Sequence, residues 1–284
     1  MVHVLSAIVA AVFIWWFTTG ALLFLTSRSK DTFGVSMAAA SVVAMFAAFG
    51  LWLTAQSETV WSIYGAFLAG VLLWGWLELV FYLGFVTGPR TSASEPGCSD
   101  LRHFWHGVET CLSHQLLTFV VIALVAALTL PGENQVGLWT FLTLYAQQQS
   151  AKLNVFFGVR NLNAQFLPDH LAYLRHFLKE RPLNLFFPVS VTVSTVVLVL
   201  VVSAAAAAQT DAQMLGLTLL ATLLGLAILE HWFLVLPLPA EKLWTWSQWE
   251  RPAAVHSVVR PGVDAVPIAS PGAAAAPTKV ELAS

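Results

Sequence analysis

Seven stretches of this chain are each apolar for long enough to cross a bilayer, and that repetition limits the fold more than any other feature. A hydrocarbon core about 30 Å thick needs about 20 apolar residues of α-helix. The stretches cover residues 2–26, 35–54, 60–86, 111–130, 136–157, 185–208 and 214–236. Hydrocarbon offers a backbone no hydrogen-bond partner, so each stretch must satisfy its own N–H and C=O groups as a helix. Composition points the same way. Hydrophobic types make up 58% of the chain and charged types 10%, where a soluble domain carries about 25% charged residues. The expected fold is therefore an all-α, polytopic membrane helical bundle of seven transmembrane helices over residues 1–240. One amphipathic helix is expected in the fifth loop, and a non-membrane tail over 241–284.

The basic residues set the expected sidedness. Arg28 and Lys30 fall in the first loop, Arg90 and Arg102 in the third, and Arg160, Arg175, Lys179 and Arg181 in the fifth. Lys152 closes span five, and the other four of the thirteen lie in the tail. The N-terminus and loops two, four and six hold none; those turns carry Glu58, Glu133 and Asp211. Cytoplasmic loops concentrate Lys and Arg, so the expected N-terminus is periplasmic and the C-terminus cytoplasmic. Were span five not to cross, the tail would change sides and this segregation would be lost. The opening "MVHVLSAIVAAVFIWWFTTGALLFLT" has no basic start and too long an apolar run for a cleaved signal, and reads as a retained span.

Two cysteines, Cys98 and Cys111, have no zinc-type spacing and read as free thiols, with no metal site expected. The tail begins "PLPAEKLWTWSQWE", with three tryptophans suited to the headgroup zone. From Arg251 its Pro/Ala-rich composition reads as disordered.

Span five ends in an unusually polar run, "QQQSAKLNVFFG". Gln147, Ser150, Ala151, Asn154 and Gly158 recur at three- and four-residue steps and share one helix face. Small and amide side chains on one face suit helix–helix packing in lipid; a substrate path is the alternative. Lys152 has a stem long enough to snorkel. Beyond it, Pro168 starts an expected amphipathic helix over 168–180, with Asp169 in its first turn and Leu171, Leu174, Phe177 and Leu178 on one side. Asp169, His170, Arg175, Lys179 and Arg181 then form a docking surface for anionic lipid or a partner protein.

Ionisable groups inside a span cost about 2.5–3.5 kcal/mol each on insertion scales and mark functional candidates. Glu78 shares a face with Trp74 and Tyr82, whose donors are placed to flank its carboxyl. Glu230 is followed by His231. Entering span four, "RHFWHGVETCLSHQLL" carries His103, His106, Thr110, Ser113 and His114 within about 100° of helical arc, flanked by Glu109. Three readings of Glu78, His106, Glu109, His114, Glu230 and His231 stay open. The first is a structural hydrogen-bonded network with Glu78 neutral. The second is contact with bacteriochlorophyll or another tetrapyrrole through an imidazole. The third is a Glu/His metal site, weakened by the lack of any Glu-x-x-His.

Five segments carry a family resemblance: "NQVGLWTFLTLY", "SAKLNVFFGV", "NLNAQFLPDHLAYL", "RPLNLFFPVSVT" and "LEHWFLVLPLP". In this order the chain resembles the PuhE-type photosynthetic complex assembly proteins of purple phototrophic bacteria, polytopic proteins of the inner membrane. It departs from them at "QQQ", where they tend to have an arginine, and at Gln115, where they tend to have glutamate. The resemblance implies a role in assembling the reaction centre and light-harvesting antenna and in modulating bacteriochlorophyll supply. Its partners would be subunits of those complexes or pigment-biosynthesis enzymes. The chain shows no nucleophile elbow, phosphate-binding glycine loop or HExxH helix and no basic aromatic patch for nucleic acid, so a non-enzymatic role by protein contact is expected.

Overall fold

A computed structural model of the chain describes residues 2–95, 97–162 and 167–247. The disordered tail expected from Arg251 lies outside the described residues. Among those residues the protein is helical, with a lone β-bridge between Val159 and Glu180. The helices are α1 (Val2–Ser27), α2 (Phe33–Ala55), α3 (Val60–Tyr82), α4 (Asp100–Glu109), α5 (Leu112–Thr129), α6 (Val136–Phe157), α7 (Phe186–Ala206) and α8 (Asp211–Phe233).

Six of these helices, all but α4 and α6, are long and apolar enough to cross a membrane. Helix α6 is the expected fifth span. Its 22 residues reach about 33 Å at 1.5 Å per residue, as long as its neighbours, but its polar run lowers its hydropathy. That polarity is met inside the bundle, where α6 packs against α3, α5, α7 and α8.

Helix α3 is the hub. It supplies Ala69, Leu73 and Leu77 to one core with Ala44, Ala47 and Leu51 of α2, Val121 and Val125 of α5, and Leu138 and Phe141 of α6. On its other side Ile63, Phe67 and Val71 meet Ala7 and Ala11 of α1 and Leu215, Leu219 and Leu223 of α8. Lipid gives no hydrophobic drive between helices, so close van der Waals approach must hold them. Gly70 and Gly137 allow it. A Cβ on Gly70 would sit 2.7 Å from the Gly137 carbonyl oxygen, and one on Gly137 would sit 2.9 Å from that of Ala66.

The turns sort by charge. The backbone N–H groups of Glu133 and Asn134 both donate to the Ala55 carbonyl, and Asn134 Nδ2 donates to the carbonyls of Thr54 and Ser62 at 3.1 and 3.2 Å. Ala212 and Leu215, in the first turns of α8, pack with Ile63. The turns carrying Glu58, Glu133 and Asp211 therefore share one end, here called the acidic end. The Lys and Arg of loops one, three and five belong to the opposite, basic end, where Phe33, His170 and Tyr82 meet.

Two segments depart from expectation. The helix expected over 168–180 is a 3-10 helix, Asp169–Phe177, docked on protein. Leu171 and Phe177 are buried, and His170 Nε2 donates to the Tyr82 carbonyl at 3.0 Å. The tryptophans expected in the headgroup zone include Trp244, which is buried against α1 instead. Its indole donates to the Trp16 carbonyl at 3.0 Å, and Trp16 donates to that of Leu243 at 2.9 Å.

Candidate functional site

Two polar assemblies occupy the basic end. The first joins α6 to α7 and α8. Gln147 exchanges hydrogen bonds with Ser194 of α7 at 3.1 and 3.2 Å. One turn on, Ser150 pairs with His231 Nε2 of α8 at 2.9 Å, and His231 Nδ1 lies 2.8 Å from the Ala227 carbonyl. A carbonyl only accepts, so Nδ1 carries the proton and the Ser150 hydroxyl donates to Nε2. A further turn on, Asn154 Nδ2 donates to Ser190 Oγ at 2.9 Å. Gly158 ends the helix with φ +120°, a value that favours glycine, and the stem of Arg181 lies against it.

Asn184, not singled out in the sequence, locks this ladder. Its amide donates to the carbonyls of Asn154 and Gly158 at 3.1 and 2.8 Å, while Oδ1 accepts the N–H groups of Phe186 and Phe187, each at 2.9 Å. One side chain thus caps α7 and fixes the end of α6. An asparagine two residues ahead of a helix was the available signal. Asn134 stands in the same relation to Val136.

The second assembly lies where α3, α5 and α6 meet. Glu78 is 5% exposed. Its donor is Gln148 of α6, whose Nε2 reaches Oε2 at 3.0 Å, in place of the Trp74 and Tyr82 donors expected from helical spacing. Trp74 instead packs edge-on against Phe141. One turn beyond Gln148, the Lys152 ammonium lies 5.6 Å from the centre of the Phe81 ring. Its charge reaches Glu78, Cys111 and His114. Lys152 therefore does not snorkel freely. Its Nζ is buried without a hydrogen-bond partner, as are Glu78 Oε1 and His114 Nδ1. His114 is 1% exposed, with its ring 5.0 Å from that of Phe81 and Nε2 3.1 Å from the Leu77 carbonyl.

The remaining candidates lie elsewhere. The stripe read as one helix face is broken, because α4 ends at Glu109 and α5 starts afresh at Leu112. The break is built by Thr110, whose N–H and Oγ1 both turn back to Gly107 O, and by Thr87, whose carbonyl accepts the His114 N–H at 2.7 Å. His103 and His106 consequently sit outside the bundle proper. Each offers Nδ1 to the Ser94 hydroxyl, at 2.9 and 3.2 Å, and Ser113 is exposed. His103 stacks between Phe156 and Phe177. That burial, reinforced by the nearby Lys179 charge, pulls its pKa below the ordinary value. Glu109 pairs with Arg90 at 2.7 Å, and this hydrogen bond holds its carboxyl below the usual range. Glu230 is not part of the cluster. It lies exposed on α8, accepting from Trp15 Nε1 of α1 at 2.9 Å.

Of the expected docking residues, Asp169, Arg175 and Arg181 are exposed. His170 is turned inward, 5.7 Å from the Phe33 ring, and burial lowers its pKa. Lys179 lies over Phe156 at 5.4 Å. Among the described residues no group of His, Cys, Asp or Glu converges as a metal site, and Cys98 and Cys111 are free thiols. His106 and His114 are buried among protein side chains, so neither presents an open face to a macrocycle.

Residues 1–254 match the model of a family described as proteins of unknown function, DUF3623. The chain belongs to the DUF3623 family. It is also similar to a Rhodobacter capsulatus protein named "Uncharacterized 30.4 kDa protein in puhA 5' region". The two are 39% identical over 262 residues, covering 90% of this chain and 95% of the relative. No solved structure matches the chain.

Proposed function

We propose that this DUF3623 protein assists assembly of the bacterial photosynthetic reaction centre and its light-harvesting antenna, and modulates bacteriochlorophyll supply, by protein contact within the membrane. The observation that carries the reading is the naming of its relative by position, in the puhA 5' region. The fold supports a contact role. The polar side chains of α6 are turned inward to tie helices together, and large apolar side chains of α1, α2 and α7 remain exposed along the bundle for lipid or a partner's helices.

In this reading the protein sits in the bacterial inner membrane, cytoplasmic or intracytoplasmic, with the N-terminus periplasmic. Gathering the Lys and Arg of loops one, three and five at one end supports that orientation. The basic end then faces the cytoplasm, and Arg175 and Arg181 form the charged part of its docking surface, with pigment-biosynthesis enzymes or complex subunits as partners.

The test is purification of the tagged protein from a phototroph in mild detergent. The expected result is a colourless protein that brings down reaction-centre or antenna subunits. Arg175→Glu with Arg181→Glu should lower the yield of assembled complex while leaving the protein itself in the membrane. A stoichiometric tetrapyrrole band that disappears in His114→Ala would overturn the contact mechanism in favour of a pigment carrier or pigment enzyme. Unchanged complex yield in the double variant would exclude the docking surface.

A further inference from the structure

Four buried polar atoms without hydrogen-bond partners collect at the basic end: Glu78 Oε1, His114 Nδ1, Lys152 Nζ and Tyr173 Oη. An unpaired buried polar atom costs about 1–3 kcal/mol, so several in one place call for a shared partner. The first three surround a single turn of α3. Gln148 binds Glu78, and Lys152, one turn further along α6, lies over Phe81, one turn further along α3. His114 also packs against the Phe81 ring and holds the Leu77 carbonyl.

Their hydrogen-bond roles are complementary. The Leu77 carbonyl only accepts, so His114 carries its proton on Nε2 and Nδ1 is a bare lone pair. Glu78 Oε2 already accepts from Gln148, and Oε1 is a free acceptor. Lys152 is a donor only. A ligand satisfying all three must accept once and donate twice, which is the valence of water. Buried waters typically make about three bonds to otherwise unpaired groups.

We propose that Glu78, His114 and Lys152 form a binding site for one internal water molecule, which accepts from the ammonium and donates to the carboxylate and the imidazole. The bridge joins α3, α5 and α6 and lets oppositely charged groups share one polar centre without direct contact. Tyr173, of the 3-10 helix, carries the fourth unpartnered atom, with Thr87 and Cys111 beside it.

The test uses solid-state NMR on the full chain in lipid bilayers with 15N-labelled histidine, the His114 signals being assigned by their loss in His114→Phe. Should that variant fail to fold, His114→Gln serves the same purpose. The expected result is an Nε2-protonated His114 with strong polarisation transfer from water to its Nδ1. Lys152→Met should keep the tautomer and reduce that transfer severalfold, while Ser194→Ala, in the neighbouring ladder, leaves it unchanged. An Nδ1-protonated ring, absence of transfer from water, or transfer unaltered by Lys152→Met would each overturn the proposal.

Discussion

The two ends of the bundle are held by different physics. Towards the acidic end, α1, α3, α6 and α8 meet mainly through alanine, glycine and branched aliphatic side chains around Phe67, with Gly70 close against Gly137. Most polar groups there serve the turns, as Asn134 does for the backbones of Thr54 and Ser62, with the Tyr64 hydroxyl donating to Ser6 across α3 and α1 at 3.0 Å. Towards the basic end α6 is joined to α3, α7 and α8 by side-chain hydrogen bonds: Gln147 to Ser194, Ser150 to His231, Asn154 to Ser190 and Gln148 to Glu78. The 3-10 helix and the Val159–Glu180 bridge cover that end. Close packing has one good geometry and resists enlargement. A polar assembly can change protonation or partner, so the basic end is the part suited to respond to its surroundings.

The largest effect should come from reversing charge at the polar end. Glu78→Lys would place two ammonium groups within reach of each other and remove the acceptor of Gln148. Each intramembrane charge costs about 2.5–3.5 kcal/mol on insertion scales, so the variant should not accumulate, as read by immunoblot of membranes. Glu78→Gln keeps an acceptor for Gln148 and should accumulate normally. Normal levels of the lysine variant would show that this turn of α3 lies outside lipid.

Next comes the acidic end. Gly137→Val should cost about 1–3 kcal/mol by overpacking, because the added Cβ faces the Ala66 carbonyl. The check is the thermal unfolding midpoint in detergent. A midpoint equal to that of the unaltered protein would mean that small-residue packing does not hold this half.

A comparable or smaller loss, about 1–3 kcal/mol, is expected from Asn184→Ala, which uncaps α7 and frees the Asn154 and Gly158 carbonyls. Unlike Gly137→Val, it should act locally. Hydrogen exchange should rise over residues 154–160 and 184–188 and stay unchanged at 130–138. Uniform acceleration would erase the distinction between the two ends.

The smallest effect is a pH dependence confined to the cover of the basic end. The folded pKa of His103 lies below its ordinary value of 6.5. The unfolded form therefore binds the extra proton first, and stability rises with pH across that window. The contribution is fully present above about pH 6.5 and fades as pH falls through the lower folded value. Amide protection in Asp100–Glu109 and Asp169–Phe177, taken relative to the intrinsic exchange rate at each pH, should fall on acidification in the unaltered protein and much less in His103→Phe.

The sequence showed most of the frame and only part of the site. Hydrophobic length located the six apolar helices, because lipid exposure is a property of a segment and needs no partner to define it; α6, expected as a seventh span, is a helix of similar length but more polar. The spacing of Gln147, Ser150 and Asn154 was legible as one helix face, since three- and four-residue spacing is local, whereas Gly158, expected on that face, ends the helix instead. The fate of individual polar groups was not. Glu78 took its donor from Gln148, 70 residues away, and Glu230 paired with Trp15, 215 residues away. Helical spacing on α3 or α8 alone carries no record of either. The histidine stripe failed for a related reason. It assumed one helix where the Thr87 carbonyl, from a separate loop, starts a second.

By itself, then, the sequence determined that this chain is a many-span helical membrane protein with the basic residues of its first, third and fifth loops at one end, because hydropathy and charge act residue by residue against the bilayer. Only tertiary structure decided which buried groups face one another. It brought Lys152 to Glu78 and His114 and left Glu230 outside, since helix rotation and close approach are set by the neighbours each helix packs against.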